Sequence, residues 1–281
     1  MHFSWIVFYL LSLLPMRVLY FFSDICFMIL YHIVAYRKKI VEQNLSNTFT
    51  TKTIPERIQI AKDFYSHLCD LLFEHIKALT ISPNALLQHV SVQHTESMES
   101  FYKQGKSIIL VSGHFGNWEW IANALALQTS YIIYSVYQEL KNKSIDRLVI
   151  NLRTRFKRKV IKNTSLIRHF AMDKETPQAI AMLIDQAPEY KKNNHWTTFL
   201  SQPTAIMLTA AKLAKKYNQP IFYVSIHKIA RGVYQATPVL LVEDPNSFST
   251  EEIAELYTRK LEEDILNNPE LWLWSHRRWK K

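Results

Sequence analysis

From about residue 107 onward, short runs rich in β-branched and aromatic residues alternate with stretches whose apolar positions recur at three and four, and few architectures accommodate that alternation. It predicts strands near 107–111, 131–136, 180–184, 221–227 and 233–241, and helices near 117–128, 142–157, 203–217 and 250–267. Helices between strands act as crossovers, which parallel neighbours require. The reading is therefore an α/β fold with a mostly parallel central sheet flanked by helices. Upstream, Ile58, Ala61, Phe64, Tyr65, Leu68, Leu72, Ile76 and Leu79 share one helical face, and Pro55 suits the first turn of that helix. No internal repeat, low-complexity tract or Gly/Ser/Pro-rich linker divides the remainder.

The amino-terminal stretch obeys a different logic. Residues 1–36 are almost wholly aliphatic, aromatic or small, with Arg17 and Asp24 as the formal side-chain charges and Pro15 as a break. The longer piece, Val18 to Val34, approaches the roughly 20 residues that cross a bilayer core. No basic segment precedes it and no small-residue cleavage signature follows, so it does not read as a signal peptide. Arg37, Lys38 and Lys39 come next, a cluster that keeps the following domain on the cytoplasmic side. Residues 1–36 are accordingly read as a membrane anchor, spanning the bilayer or lying in its interface, and 37–281 as the main domain.

Lys and Arg outnumber Asp and Glu by 34 to 24, a net charge of +10, so the chain should attract anionic partners. Two cysteines, Cys26 and Cys69, match no metal-ligand spacing, and neither a metal nor another cofactor is expected. The segment "RTRFKRKVIK" at 153–162 carries six cations, which suit either a solvated face or a docking surface for lipid phosphates or an acidic protein. The terminal "LWLWSHRRWKK" interleaves tryptophans with cations, a mixture found in single-stranded nucleic-acid binding and in membrane headgroup belts. Beside the apolar first 36 residues it reads as a membrane feature rather than a nucleic-acid one, and His276 within it as structural.

The stretch with most chemistry is "SGHFGNWEW" at 112–120, directly after the apolar run Ile108–Val111. His114 falls in a loop at the carboxyl end of a strand, where ligands bind in open α/β sheets. Asn117 is placed to cap the next helix, and Glu119 falls in that helix's first turn. On one continuous helix His114 and Glu119 would diverge, but a corner built on Gly113 and Gly116 lets the carboxylate reach an imidazole nitrogen. An acid that fixes a histidine tautomer leaves the other nitrogen free as a general base, with a substrate hydroxyl as nucleophile. Backbone N–H groups at Phe115 and Gly116 are the expected oxyanion donors. Asp185-Gln186, at the end of another strand, is expected at the same sheet edge.

"GHFGNWE" resembles the histidine-x4-acid block of the bacterial lysophospholipid acyltransferase superfamily, and its glutamate form resembles the lipid A late acyltransferases, the lauroyl and myristoyl transferases, in a Bacteroidota-like version. "LLSLLPMRVLYFFSD", "YRKKIVEQNLSNTF", "FYSHLCDLLFEHIK", "LIDQ", "FLSQPTAIMLTAAKLAKKYNQPIF" and "LWLWSHRRWKK" extend the likeness over nearly the whole chain. The resemblance implies a glycerolipid acyltransferase-like fold on the cytoplasmic face of the inner membrane. It also implies transfer of a fatty acyl chain from acyl carrier protein, or coenzyme A, to a hydroxyl of a lipid A precursor. His114 would be the base and Glu119 its partner, with Phe115, Gly116, Asn117, Arg153, Arg155, Asp185 and Gln186 binding substrate. The implied partners are acyl carrier protein, a lipid acceptor and the membrane, with no nucleic acid.

Three positions depart from the family pattern. Gln138 stands where relatives carry a cation after the tyrosine, and Lys157 and Ser201 stand where they carry glycine. Loss of the cation at 138 keeps open an acyltransferase for another lipid (a lysophospholipid or an amino-acid lipid), and a separate alternative is a non-catalytic membrane-binding protein.

Overall fold

Helices and strands alternate as the periodicity requires, and a computed structural model describes residues 3–172, 175–188 and 195–279. Helices α1 (Phe3–Leu13) and α2 (Met16–Met28) are separated at Pro15, and α2 runs on into a π turn, Ile29–Ile33. Then come α3 (Lys38–Thr48), α4 (Ile54–Lys77), α5 (Pro83–His89), β1 (Val90–Val92) and α6 (Glu96–Lys103). The central section comprises β2 (Ile108–Ser112), α7 (Trp118–Gln128), β3 (Ile132–Tyr137), α8 (Lys143–Arg153), β4 (Lys159–Lys162), α9 (Leu166–Ala171) and β5 (Gln178–Leu183). The last section adds β6 (His195–Phe199), β7 (Gln202–Ile206), α10 (Thr209–Tyr217), β8 (Ile221–Ala230), β9 (Val233–Val242) and α11 (Thr250–Asn267).

Seven strands form one sheet in the order β1-β9-β8-β2-β5-β3-β4, parallel throughout except for the antiparallel β8–β9 pair. The mostly parallel sheet read from the sequence is thus present. Ile108, Ile109, Leu110 and Val111 of central β2 are all buried, as a strand covered on both faces must be. Helix α4 starts on a capping box in which Thr53 and Glu56 satisfy each other's backbone N–H groups, with Pro55 in the first turn. Its predicted face is mostly inward, though Ile58 and Leu72 remain exposed.

Three local expectations need correction. Residues 202–206 are not the start of a helix but strand β7, paired antiparallel with β6 in a two-stranded ribbon, and α10 begins only at Thr209. Alternating apolar residues in "QPTAIM" carry both periods, and pairing with β6 decided between them. The helix read as 142–157 stops at Arg153, and the cationic tract continues into edge strand β4. The short strands β1, β4 and β6 carry too little pattern of their own to be read ahead of their partners. Finally, the terminal tryptophans are not a headgroup belt: Trp272 and Trp274 are buried, and Trp279 donates to Thr204 Oγ1 at 2.7 Å.

Two of the departures from the family pattern have left-handed backbone. Lys157 has φ +56° and Ser201 φ +63°, the region glycine enters without steric cost.

Candidate active site

β2 and β5 pair in parallel, with Ser112 opposite Leu183. The ladder continues one step past both strands, because the Ile184 N–H donates to the Ser112 carbonyl at 2.9 Å. The same register sets Asp185 opposite His114. Asp185 Oδ1 lies 2.8 Å from His114 Nδ1, and its Oδ2 accepts from the His114 backbone N–H at 3.1 Å and from Trp272 Nε1 at 3.0 Å. Burial alone raises the Asp185 pKa, but the imidazole beside it and these three N–H donors outweigh burial and hold it at about 2. A carboxylate accepts only, so Nδ1 carries the ring proton and Nε2 is the basic nitrogen. Gln186 places its amide nitrogen 3.4 Å from Nε2, and the imidazole side chain is 17% exposed.

The loop between β2 and α7 turns as its glycines allow. Gly116 has φ +53°, and a Cβ there would sit 2.7 Å from Ile226 Cγ2. Gly113 has no room either, since a Cβ would approach Leu261 of α11 to 2.6 Å. Asn117 caps α7 as the sequence suggests, its Oδ1 accepting from the Trp120 N–H at 2.9 Å. Its Nδ2 donates to Glu74 Oε2 at 2.6 Å.

Glu119, expected beside His114, is bonded elsewhere. It stands in the first turn of α7, aimed toward the β3–β4 side of the sheet, where it forms ion pairs with Arg153 and Arg158. Arg153 Nε donates to Glu119 Oε1 at 2.9 Å, and Arg158 Nη1 donates to Oε2 at 2.8 Å. Burial opposes the Glu119 charge, yet Arg158 and Arg153 more than offset it and keep the carboxyl far below its ordinary range. Arg158 is itself buried, with Nε on Ser135 Oγ at 2.7 Å. One carboxylate between two guanidinium groups leaves one net positive charge here.

This cluster borders a cavity between α7 and the sheet with about 530 Å³ of empty space, counting the part open to solvent. Its walls are chiefly apolar, formed by residues such as Leu110, Ile121, Ala122, Leu125, Ala181 and Val224, with Glu119, Arg153 and Arg158 as the charged part. Trp118 borders the cavity and also meets the His114 ring edge-on, centroids 5.1 Å apart. A smaller apolar slot, lined by Phe64, Leu68, Leu71 and Leu271, reaches His114 and Trp118 from the α4 side.

The sequence-predicted residues thus divide. His114, Asp185 and Gln186 meet at one sheet edge, and Glu119 and Arg153 meet at the cavity wall. Arg155 lies elsewhere: its guanidinium donates to the carbonyls of Ala78 and Ile81, finishing the C-terminus of α4. Phe115 and Asn117 are buried, and the Gly116 N–H is bonded to the Leu271 carbonyl at 3.0 Å, so it is not a free oxyanion donor. Arg158 and Trp272 were not singled out from the sequence. The signal for Arg158 was its place in the cationic tract, while nothing local marks Trp272. Among the described residues no group of three or more His, Cys, Asp or Glu side chains is arranged to hold a metal ion.

A family model described as bacterial lipid A biosynthesis acyltransferase matches residues 1–281. Comparison with curated proteins finds none that matches.

Proposed function

Because the chain belongs to the bacterial lipid A biosynthesis acyltransferase family, and so to the acyltransferases, we propose that His114 is the general base that activates a lipid hydroxyl, oriented by Asp185 rather than by Glu119. The observation that carries this reading is the imidazole itself. Its Nδ1 is fixed on a buried carboxylate, the ring is partly exposed, and Trp118, which meets it edge-on, also borders the apolar cavity beneath α7. Nε2 takes the hydroxyl proton as the oxygen attacks the acyl thioester carbonyl. The tetrahedral adduct then collapses, the C–S bond breaks, and the imidazolium returns its proton to the departing thiolate. A positioned base of this kind contributes about 10²–10⁴-fold in rate.

The cavity beneath α7 suits the donor's acyl chain, since its walls are apolar and its charged part can face a polar headgroup or thioester. The net charge of +10 favours acyl carrier protein, an acidic donor, and a phosphorylated lipid A precursor as acceptor on the cytoplasmic face of the inner membrane. A second reading, acylation of another lipid, is favoured by the loop at 138. Gln138 brings no cation there, and the adjacent Glu139 engages Lys143 at the 2.5 Å limit of a short ion pair and Lys162 at 3.1 Å.

The test is transfer of labelled acyl groups from acyl carrier protein to lipid A precursor by membranes containing the chain. His114→Ala should abolish transfer while the protein remains folded, and full activity in that variant would remove the proposed base. Label appearing only in other lipids selects the second reading.

A further inference from the structure

Met16–Ile33 is long and apolar enough to cross a membrane by length and composition. Its surroundings argue for another disposition. Leu19 and Ser23 of α2, and Tyr31 in the π turn, are buried against the rest of the protein. Polar ties run along the same side of the helix. Tyr20 donates to Glu74 at 2.9 Å, Ser23 donates to Asp70 at 2.7 Å, and Arg231 joins Asp24 to Asp70 with contacts of 2.6 Å. Lys77, at the end of α4, donates to the carbonyls of Ser12 and Leu14 between α1 and α2. Helix α4, which receives most of these bonds, also delivers Ala61, Phe64 and Tyr65 to the main core. A spanning α2 would have to leave this seat or drag α4 and its domain into hydrocarbon. The Asp24–Arg231 pair would then lie near mid-bilayer, where each charge is unfavourable.

The opposite side of α2 is apolar and open. Val18, Phe21, Phe22, Ile25, Met28 and Ile29 are exposed, Phe21 by 62%. At 100° per residue they fall within a sector of roughly 120°, the stripe of a helix that contacts one apolar layer. Leu10 and Leu13 of α1 are likewise exposed. Cations stand at both ends of α2, Arg17 at its start and Arg37, Lys38 and Lys39 beyond the π turn. A spanning helix places its two ends in opposite leaflets, whereas a helix in the plane keeps both ends at one anionic headgroup layer.

From this geometry we infer that α1 and α2 form an in-plane membrane-binding face, fixed to the catalytic domain and embedded in one leaflet of an anionic bilayer, and do not span it. The inference does not rest on the acyl-transfer reading, and its test needs no turnover.

The experiment uses full-length protein on vesicles of phosphatidylethanolamine and phosphatidylglycerol. Nitroxides are placed by Leu13→Cys, Phe22→Cys, Ile25→Cys and Ile29→Cys, each with Cys26→Ser and Cys69→Ser. All four should report one shallow depth of about 5–10 Å below the headgroups. Depth that peaks near Ile25 and falls at both ends, with Leu13→Cys reachable only from inside the vesicle, would establish a span and overturn the inference. Spin–spin broadening between copies, without flotation on vesicles, would assign the face to a second copy of this chain and overturn it equally.

A second measurement uses charge substitutions on the exposed stripe. Phe22→Glu with Ile29→Glu should lower vesicle affinity about a hundredfold or more, and Arg17→Glu should lower it about tenfold on anionic vesicles only. Unchanged affinity in these variants would also refute the proposed face.

Discussion

Asp185→Asn separates the acid that the fold places on His114 from Glu119, the partner expected from the sequence. The carboxylate has three N–H donors on two oxygens: the imidazole Nδ1–H on Oδ1, and the His114 amide and Trp272 indole on Oδ2. An asparagine has one acceptor oxygen and one NH₂ group. The amide N–H and indole N–H cannot become acceptors, so the oxygen must turn to them and the NH₂ must face Nδ1. Imidazole can adapt by moving its proton, and Nδ1 then becomes the acceptor while Nε2 carries hydrogen. The ring stays in place but presents a donor where the reaction needs a base. The corresponding carboxylate-to-amide change in a serine protease triad costs about 10⁴-fold in kcat, and a loss of about 10³–10⁴-fold is expected here. A folding effect accompanies it. Lowering the Asp185 pKa from 3.8 to about 2 corresponds to about 2 kcal/mol of stability, present above pH 4 and lost as pH falls toward 2. The variant should unfold earlier in denaturant near neutral pH and show a flatter acid limb. The assays are kcat for acyl transfer and ¹⁵N chemical shifts of the His114 ring, which identify the protonated nitrogen. Retention of kcat within about tenfold, together with Nε2 still unprotonated, would refute the argument and return the orienting role to Glu119.

Three further outcomes follow from the same structure. Gly116→Ala places a Cβ on left-handed backbone 2.7 Å from Ile226 Cγ2, so calorimetry should find about 1–3 kcal/mol of lost stability, and an unchanged midpoint would contradict the strain. Ala122→Leu, which projects into the cavity beneath α7, should shift the transferred acyl groups toward shorter chains in lipid mass spectra, and an unchanged chain profile would remove the donor chain from that cavity. Glu74 is buried and its pKa is raised by that burial despite the hydrogen bonds from Tyr20, Asn117 and Tyr234. Its contribution to stability is present below about pH 4 and declines as pH rises through the elevated folded value. Glu74→Gln should therefore flatten the fall in denaturation midpoint between acidic and alkaline pH, and an unaltered slope would show that Glu74 does not titrate as described.

Sequence and tertiary structure divided the work along physical lines. Period-two and period-3.6 patterns are local, so the strands at 108–112 and 132–137, the helices α4, α7 and α11, and the loop position of His114 could be read in order along the chain. The Gly113 and Gly116 corner and the Asn117 cap were legible for the same reason, because turn and cap chemistry resides in neighbouring residues. Pairing is not local. Glu119 is five residues from His114 and Asp185 is 71 residues away, yet the parallel register of β2 on β5 seats Asp185 on the imidazole while the α7 axis carries Glu119 to Arg153 and Arg158. The same holds for Trp272, which reaches Asp185 only because the carboxyl-terminal segment packs beside the 114–116 loop. Apolar composition gave the expectation of a membrane anchor over residues 1–36. Which side of α2 the protein itself covers was decided by Tyr20, Ser23 and Asp24 meeting Glu74, Asp70 and Arg231, partners between 47 and 207 residues distant in sequence. The sequence alone thus determined most element types and the chemistry available, because both depend chiefly on neighbours, while 202–206 and the short strands were left to their pairing. The tertiary fold decided which acid meets His114, because only the register of packed strands brings remote charges within hydrogen-bonding distance.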